Sequence, residues 1–304
     1  MNVLEQCHLC PRECGVNRLA GQTGYCGMPG EIVVARASLH MWEEPCISGT
    51  RGSGTVFFTG CPLKCVYCQN RNIAIGKTGK RISVERLSEI FLELQEKGAH
   101  NINLVTPTHY VPPILDALRL AKERGLFIPI VYNTGSYEKV ETIRSMEGLI
   151  DIYLPDCKYF DPEIAEKYSN APDYYEVAST AIKEMVRQVG KPGFEGGLMK
   201  RGVIIRHMIL PGHTKDSRKV IEQLYRTYGD DVYISIMNQY TPLPQMAHYP
   251  EINRRITERE YDRTVDFAIS LGIENAFIQE GETAKESFIP DFEEGVGIDR
   301  SEEE

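Results

Sequence analysis

FFTGCPLKCVYCQN, residues 57–70, continues a short β-rich run into a loop that carries three cysteines at the spacing C-x3-C-x2-C. These cysteines are Cys61, Cys65 and Cys68. Three thiolates on one short loop can each ligate a different iron of a cubic iron–sulfur cluster, which leaves the fourth iron open. The stretch therefore predicts a strand that ends in a metal-binding loop.

Two other interpretations of this loop stay open on spacing alone. A fourth cysteine, such as Cys26, Cys46 or Cys157, could close the cluster and limit it to electron transfer. Zinc also accepts sets of four cysteines. Ordinary ferredoxins space their cysteines differently, so the loop does not follow their pattern.

Downstream of this loop, short β-rich runs alternate with segments of helical period. The predicted strands are 55–59, 102–105, 127–132, 150–154, 203–210, 232–236 and 276–278. The predicted helices are 84–94, 113–124, 137–146, 174–189, 217–228 and 257–271. Repeated strand–helix units imply parallel strands with right-handed crossovers. We therefore expect an α/β fold, and favour a barrel over a doubly wound sheet.

Four residues mark where individual elements begin or break. Ser83 is a candidate N-cap for the helix over 84–94, and Thr257 with Glu260 forms a capping-box pair at the last helix. Pro129 lies inside the third predicted strand, where its missing N–H weakens a central position and indicates a bulge or a strand end.

The composition is that of an ordinary globular protein. Of 304 residues, 42% are hydrophobic and 25% are charged, with a net charge of −9, so no basic nucleic-acid groove is expected. No apolar run reaches the length of a membrane helix, and the first residues lack the pattern of a signal peptide. We expect a cytoplasmic protein. Because thiols stay reduced in the cytoplasm, metal binding or redox chemistry is the favoured interpretation of the nine cysteines.

The sequence divides into three parts. Residues 1–50 form a Cys- and Gly-rich N-terminal module, residues 51–285 carry the strand–helix pattern, and residues 286–304 form an acidic tail that is expected to be disordered. Residues 190–202 are expected to form a flexible loop. The N-terminal module holds a second cysteine set, which suits a structural zinc or an auxiliary 4Fe-4S cluster: Cys7, Cys10, Cys14 and Cys26, with His8 as an alternative ligand.

The loop over 57–70, placed after the first strand of a predicted barrel and with Tyr67 just before its last cysteine, resembles the hallmark of the radical S-adenosylmethionine superfamily. The resemblance covers roughly residues 50–285 and implies a partial (β/α)6-type barrel that follows the Cys-rich N-terminal module. Within that superfamily the chain is most similar to homologues of the pyruvate formate-lyase activating enzyme, including the CHLCPREC start at residues 7–14.

The resemblance implies a 4Fe-4S cluster held by Cys61, Cys65 and Cys68, whose open iron chelates S-adenosylmethionine. One electron from the cluster breaks the sulfonium bond and yields a 5′-deoxyadenosyl radical. It also implies a one-electron reductant such as flavodoxin or ferredoxin, and a protein substrate such as a glycyl-radical enzyme.

The resemblance also assigns residues to the cofactor. Tyr67 is expected to pack near the adenine, and Asn133 with Thr134 to contact the ribose. Relatives carry a Gly-Gly-Glu element for the methionine amine at the position where this chain has Thr106-Pro107-Thr108-His109. The departure leaves the amine to backbone carbonyls or to the hydroxyls of Thr106 and Thr108.

Later strand ends supply the remaining expected contacts. Asp156-Cys157-Lys158 resembles the D-x-K element of the activating enzymes, which implies that Lys158 pairs with the methionine carboxylate and that Asp156 faces the substrate. Arg206 resembles an arginine that reaches the cofactor from the fifth strand. A similar rim position is held by Asn238, Gln239 and Tyr240.

The expected function is abstraction of a hydrogen atom from a protein or peptide, with activation of a glycyl-radical enzyme as the leading case. The main enzymatic alternative is radical modification of another peptide or of a small molecule. The alternative from another class is a non-catalytic interaction protein whose C-x2-C pairs hold zinc.

Overall fold

The computed structural model describes residues 2–279, 292 and 295–299. It has an α/β fold built on one open sheet in the form of a partial barrel. The strands are β1 Ile32–His40, β2 Ser53–Phe58, β3 Lys80–Ile82, β4 Ile102–Val105, β5 Ile130–Thr134, β6 Ile152–Pro155, β7 Gly193–Glu195, β8 Leu198–Met208, β9 Tyr233–Met237 and β10 Ala276–Ile278.

The strand order is β10-β9-β8-β6-β5-β4-β2-β1-β3, and β7 pairs with β8. All neighbours from β2 to β10 in this order are parallel, so their carboxyl ends meet at one end of the barrel. Barrels of parallel strands place their functional groups at that end. The predicted α/β fold and partial barrel are confirmed.

Helices lie in the connections between the strands. They are α1 Pro45–Ser48, α2 Arg71–Ala74, α3 Val84–Glu96, α4 Val111–Glu123, α5 Val140–Arg144, α6 Pro162–Ser169, α7 Tyr174–Val189, α8 Thr214–Tyr228 and α9 Glu258–Ser270. The predicted caps are present, because the Ser83 side chain accepts from Arg86 N and Thr257 forms a capping box with Glu260. α6 was not predicted, although Asp161 caps its amino end.

Three segments differ from the sequence-based expectation. β5 begins at Ile130, so Pro129 lies just before the strand and only its carbonyl joins the ladder, as an acceptor for Ile102 N. The predicted helix 137–146 is shorter and covers Val140–Arg144. Residues 190–202 are not a flexible loop, because β7 and the start of β8 form an antiparallel hairpin there.

Strand β1 was not predicted, and it lies within the region assigned to the N-terminal module. β1 pairs antiparallel with β2 on one side and with β3 on the other. Its first four residues are all buried, so they lack the alternation of polar and apolar residues by which a half-buried strand is recognised. The antiparallel pairing brings His40 opposite Ser53, so the chain after β1 starts at the amino ends of the parallel strands.

The N-terminal segment, residues 2–31, contains no described helix or strand, yet it is bound tightly to the barrel. Arg18 is only 1% exposed and donates to the carbonyls of Met28 and Pro29 and, on the barrel, to that of His109. Buried carbonyls need such partners. One buried arginine therefore anchors the segment on the chain after β4.

Part of the predicted acidic tail is ordered against the sheet. Phe292 packs edge-on against Phe57, with ring centroids 5.2 Å apart, and Ala37 N donates to Val296 O at 2.9 Å. Ile298 is buried. The expectation of disorder is therefore wrong for residues 292 and 295–299, and the rest of 286–304, with the boundary at 285, lies outside the described residues. In the described part of the chain, no helix has the length and apolar character needed to cross a bilayer.

Candidate functional site

A cavity of about 960 Å³ occupies the interior of the barrel. At the carboxyl ends of the strands it is lined by Cys65 and Cys68 of the loop after β2, and at the amino ends by residues 41–45, which follow β1. Its walls include Asn133, Asp156 and other inward side chains of the strands. The cavity thus joins the cysteine loop to the interior of the barrel.

The cysteine loop starts from a backbone position that favours glycine. Gly60 has φ +92°, and a Cβ there would lie 2.3 Å from Cγ of Met28 and 3.0 Å from Nε2 of His109. Gly60 N also donates to Ile73 O. The close approach of the N-terminal segment therefore requires glycine immediately before Cys61.

The three thiols of the loop suit an iron–sulfur cluster. Burial raises the pKa of Cys61 to about 11 and that of Cys68 to about 12, so both are protonated unless a metal displaces the proton. Backbone N–H groups face the sulfurs, as Leu63 N does toward Sγ of Cys61 at 3.4 Å. Cys65 Sγ accepts a hydrogen bond from the Ser169 hydroxyl.

Within the described residues, no group of three His, Cys, Asp or Glu side chains is placed to hold a single metal ion. A cubic cluster is larger than one ion, and its ligands each bind a different iron. Soft thiolates are the ligand type that such clusters take. The donor set of the loop therefore fits the cluster that the sequence predicts.

A charged network lies beside the thiols. Lys158 Nζ is 2.6 Å from Asp156 Oδ2, and Arg206 Nε is 2.9 Å from Asp156 Oδ1. Burial alone would raise the pKa of Asp156, but the Arg206 and Lys158 cations hold it below its usual value. Burial would lower the pKa of Lys158, but the Asp156 carboxylate holds it above the usual value. Both groups are therefore ionised inside the cavity.

Lys158 is also positioned toward the cysteine loop. Its positive charge interacts with Cys61, Cys65 and Cys68. Asp156 and Lys158 follow β6, and Arg206 lies on β8. The structure thus brings together, at one end of the barrel, the thiols and the two cations that the sequence analysis singled out.

Two carboxylates of this site were missed. Glu43 lies 3.2 Å from Arg206 Nη1 and accepts from Asn103 Nδ2 at 3.0 Å. Glu44 is buried, burial raises its pKa, and its Oε2 has no hydrogen-bond partner in the described structure. They follow β1, which the sequence did not reveal, and only two adjacent acids in an otherwise uncharged stretch could have indicated them.

The predicted contacts of the aromatic and amide side chains are placed as follows. Tyr67 lines the cavity but is 5% exposed, and its hydroxyl bonds Tyr159. Asn133 lines the cavity and its Oδ1 accepts from Arg206 Nη2 at 2.5 Å. Gln239 also lines the cavity, whereas Tyr240 is buried and donates to Ile252 O.

Thr106 and Thr108 are not among the residues that line the cavity. Thr106 has a left-handed backbone, with φ 55°. The Thr108 hydroxyl donates to Oε1 of the buried Glu138 at 2.6 Å, and Thr134 donates to the same oxygen at 2.5 Å. The hydroxyl of Thr108 therefore bonds Glu138, and not the methionine amine for which it was predicted.

The four N-terminal cysteines share one neighbourhood. The charges of Cys7 and Cys14 raise the pKa of Cys26, and the charges of Cys7 and Cys26 raise the pKa of Cys10. Burial raises the pKa of Cys10 to about 12. Arg12, within the same segment, donates to Pro62 O in the cysteine loop. The second cysteine set therefore sits directly behind the first.

Comparison with known proteins gives one family. The model of the radical SAM superfamily matches residues 55–225, which is more than half of the chain. The match begins in β2 and includes the cysteine loop, Asp156, Lys158 and Arg206.

Two curated relatives are similar in sequence. An uncharacterized protein of Methanocaldococcus jannaschii is 29% identical over 279 residues, which cover 88% of this chain and 75% of the relative. The pyruvate formate-lyase-activating enzyme of Clostridium pasteurianum is 28% identical over 182 residues, which cover 56% of this chain and 66% of that enzyme.

Among solved structures, SuiB of Streptococcus suis bound to S-adenosylmethionine matches with a TM-score of 0.49 at 16% identity. The match covers 73% of this chain and 48% of SuiB. The chain thus spans about half the length of that protein.

The raised pKa of Glu138 predicts that the stability of the folded protein depends on pH. Burial raises its pKa to about 7, against the hydrogen bonds from Thr108, Thr134 and Tyr132. The folded state therefore holds a proton that the unfolded state releases above its ordinary pKa of 4.5. This contribution is complete below that value and is lost as the pH rises through about 7. The expected loss is on the order of 3 kcal/mol.

Thermal unfolding of the wild type and of Glu138→Gln, followed from pH 5 to pH 8, checks this expectation. The variant should show a flatter pH dependence than the wild type. Glu141→Gln, at an exposed position of α5, is the matched control and should behave as the wild type. Equal pH dependence in all three proteins would contradict the assignment.

Proposed function

Because the chain belongs to the radical SAM superfamily, we propose that it cleaves S-adenosylmethionine reductively at a 4Fe-4S cluster on Cys61, Cys65 and Cys68 and abstracts a hydrogen atom from a substrate. The observation that carries the proposal is the single cavity shared by the cysteine loop and the ionised side chains of Asp156, Lys158 and Arg206. The family membership supports the cluster and S-adenosylmethionine as cofactors.

A 4Fe-4S cluster held by Cys61, Cys65 and Cys68 would supply one electron for cleavage of the sulfonium bond of S-adenosylmethionine, the chemistry on which hydrogen-atom abstraction from the substrate would depend. The protein's own residues position the cofactor and exclude water. Lys158 supplies a fixed cation next to the thiols, which suits the methionine carboxylate. Arg206 holds Asp156 in place, so that Asp156 can face both Lys158 and the substrate side of the cavity.

Tyr67 and Asn133 are the candidates for the nucleoside. Both line the cavity. Asn133 is held by Arg206, with its Oδ1 at 2.5 Å from Nη2. We propose that Asn133 contacts the ribose and that Tyr67 packs near the adenine. We assign no contact to Thr106 or Thr108, since the Thr108 hydroxyl bonds Glu138.

For the substrate, we propose a protein or peptide, and a glycyl-radical enzyme as its leading form. The support is the similarity to a pyruvate formate-lyase-activating enzyme over 182 residues. A small polar substrate is the second candidate. It is favoured by the two buried acids at the inner end of the cavity, Glu43 and Glu44.

We further propose that Cys7, Cys10, Cys14 and Cys26 hold a second metal group. We favour a 4Fe-4S cluster over zinc, because within the described residues no three His, Cys, Asp or Glu side chains are placed to hold a single ion. The support is that Cys7, Cys10 and Cys26 are buried and that the four cysteines interact electrostatically with one another. A flavodoxin or ferredoxin would supply the electron. All nine cysteines are unpaired, which suits the reducing cytoplasm.

Replacing Cys61, Cys65 and Cys68 together by alanine should abolish the release of 5′-deoxyadenosine from S-adenosylmethionine, because the loop loses all its soft ligands. The measurement is product formation under dithionite after anaerobic reconstitution, with iron content determined in parallel. Continued release of 5′-deoxyadenosine by the triple variant would show that the cofactor site lies elsewhere.

Replacing Cys7, Cys10, Cys14 and Cys26 should remove one metal group and leave reductive cleavage detectable, because these residues lie outside the lining of the cavity. Iron, sulfide and zinc analysis of this variant against the wild type identifies the metal that is lost. The triple variant above is the matched comparison. An unchanged metal content would show that these cysteines hold no metal. Complete loss of cleavage in a folded variant would show that the cleavage site depends on the second metal group.

A further inference from the structure

We propose that a buried chain of three hydroxyl groups, from Tyr67 through Tyr159 to Ser169, donates to Sγ of Cys65 and raises the reduction potential of the cluster that Cys65 holds. The inference rests on the proposed function, since it takes Cys65 as a cluster ligand. The three contacts are 2.6 Å between Tyr67 and Tyr159, 2.7 Å between Tyr159 and Ser169, and 3.0 Å between Ser169 Oγ and Cys65 Sγ.

The direction of this chain follows from counting protons. A hydroxyl has one proton to donate. Since Ser169 donates to Cys65, its oxygen must accept from Tyr159. The hydroxyl of Tyr159 then accepts from Tyr67. All donors in the chain therefore point toward the sulfur.

Burial makes these bonds strong and specific. Tyr67 is 5% exposed, Tyr159 1% and Ser169 2%. At low dielectric, hydrogen bonds in a chain polarise one another and each becomes stronger. The Ser169 hydroxyl lies 3.0 Å from Cys65 Sγ, and the Tyr159 hydroxyl also interacts with Cys65.

Ser169 is held in place by the segment that carries the N-terminal cysteines. Arg12 Nη2 donates to Ser169 O at 3.0 Å and Nη1 donates to Asn170 O, while Nε donates to Pro62 O at 2.9 Å. The guanidinium lies over the ring of Tyr25, 4.0 Å from its centroid. Arg12 of the N-terminal segment thus fixes the end of α6 against the cysteine loop. It is a positioning residue for the hydroxyl of Ser169.

The physical effect is on the charge of the sulfur. Reduction adds negative charge to a cluster and its thiolates, and hydrogen bonds to the sulfurs are one of the means by which proteins set the potential. A donor on Cys65 stabilises the reduced state more than the oxidised state. Loss of the donor should therefore make reduction harder without removing any ligand.

The test is a potentiometric titration of the reconstituted protein, followed by electron paramagnetic resonance. The signal to follow is the one that changes when S-adenosylmethionine is added, which separates it from any second cluster. We expect Ser169→Ala to lower the equilibrium constant for reduction about tenfold, which is about 59 mV toward more negative potential for a one-electron couple. Ser179→Ala is the matched control and should leave the potential unchanged, because Ser179 is a partly exposed serine of α7 whose hydroxyl donates to Glu176 O.

Tyr159→Phe supplies a second variant that keeps Ser169 and its bond to Cys65. Because it leaves the direct donor, Ser169, in place, we expect a smaller shift of the same sign. Should Ser169→Ala fail to hold the cluster, Tyr159→Phe carries the test alone. Iron content and the absorption spectrum confirm that each variant holds the cluster.

The outcomes separate this inference from the proposed function. A wild type that cleaves S-adenosylmethionine, together with unchanged potentials in Ser169→Ala and Tyr159→Phe, overturns the hydroxyl chain and leaves the function standing. A shift toward less negative potential also overturns it. A wild type that holds no cluster on the loop overturns both.

Discussion

The ion pair between Arg206 and Asp156 is the interaction on which the arrangement of the cavity depends. Arg206 lies on β8, and its guanidinium also bonds Glu43 from the chain after β1 and Asn133 on β5. One side chain therefore joins four segments of the barrel. A buried charge is costly unless it is paired, so removal of Arg206 would leave Glu43 and Asp156 as carboxylates with a reduced set of partners. The network fixes Asp156, and through it the ammonium of Lys158.

The second constraint is the contact between the N-terminal segment and the barrel. Arg18 anchors the segment through His109 O, and Arg12 joins the cysteine loop to the end of α6. Gly60 permits the approach, because a residue with a Cβ at this position would collide with Met28. The segment that carries one cysteine set is therefore part of the structural support of the other. This contact explains why a region without helices or strands among residues 2–31 is nonetheless buried at several positions.

Much of this arrangement could be predicted from the sequence, because it depends on local signals. The strand–helix alternation predicts parallel strands, and parallel strands place their carboxyl ends together. The positions of Cys61, Asp156 and Lys158 at such ends follow from that rule alone. The caps at Ser83 and Thr257 are equally local and are confirmed.

What could not be predicted depends on tertiary contacts. The first four residues of β1 are all apolar and buried, and the strand lies in the region assigned to the Cys-rich module, so neither it nor the acids that follow it were recognised. Thr108 lies at a strand end as expected, yet its hydroxyl bonds Glu138, which comes from the chain after the next strand. The bond between Ser169 and Cys65 joins residues far apart in the chain, and no spacing rule connects them.

The central claim is that the network around Arg206 presents Lys158 to the methionine carboxylate of S-adenosylmethionine. The most direct measurement is the affinity of Lys158→Ala for S-adenosylmethionine, titrated through the paramagnetic signal of the reconstituted cluster, with iron content determined in parallel. A charge-assisted hydrogen bond of roughly 1.5 to 3 kcal/mol predicts about a tenfold to hundredfold loss of affinity at full iron occupancy. An unchanged affinity at the same iron content would contradict the claim.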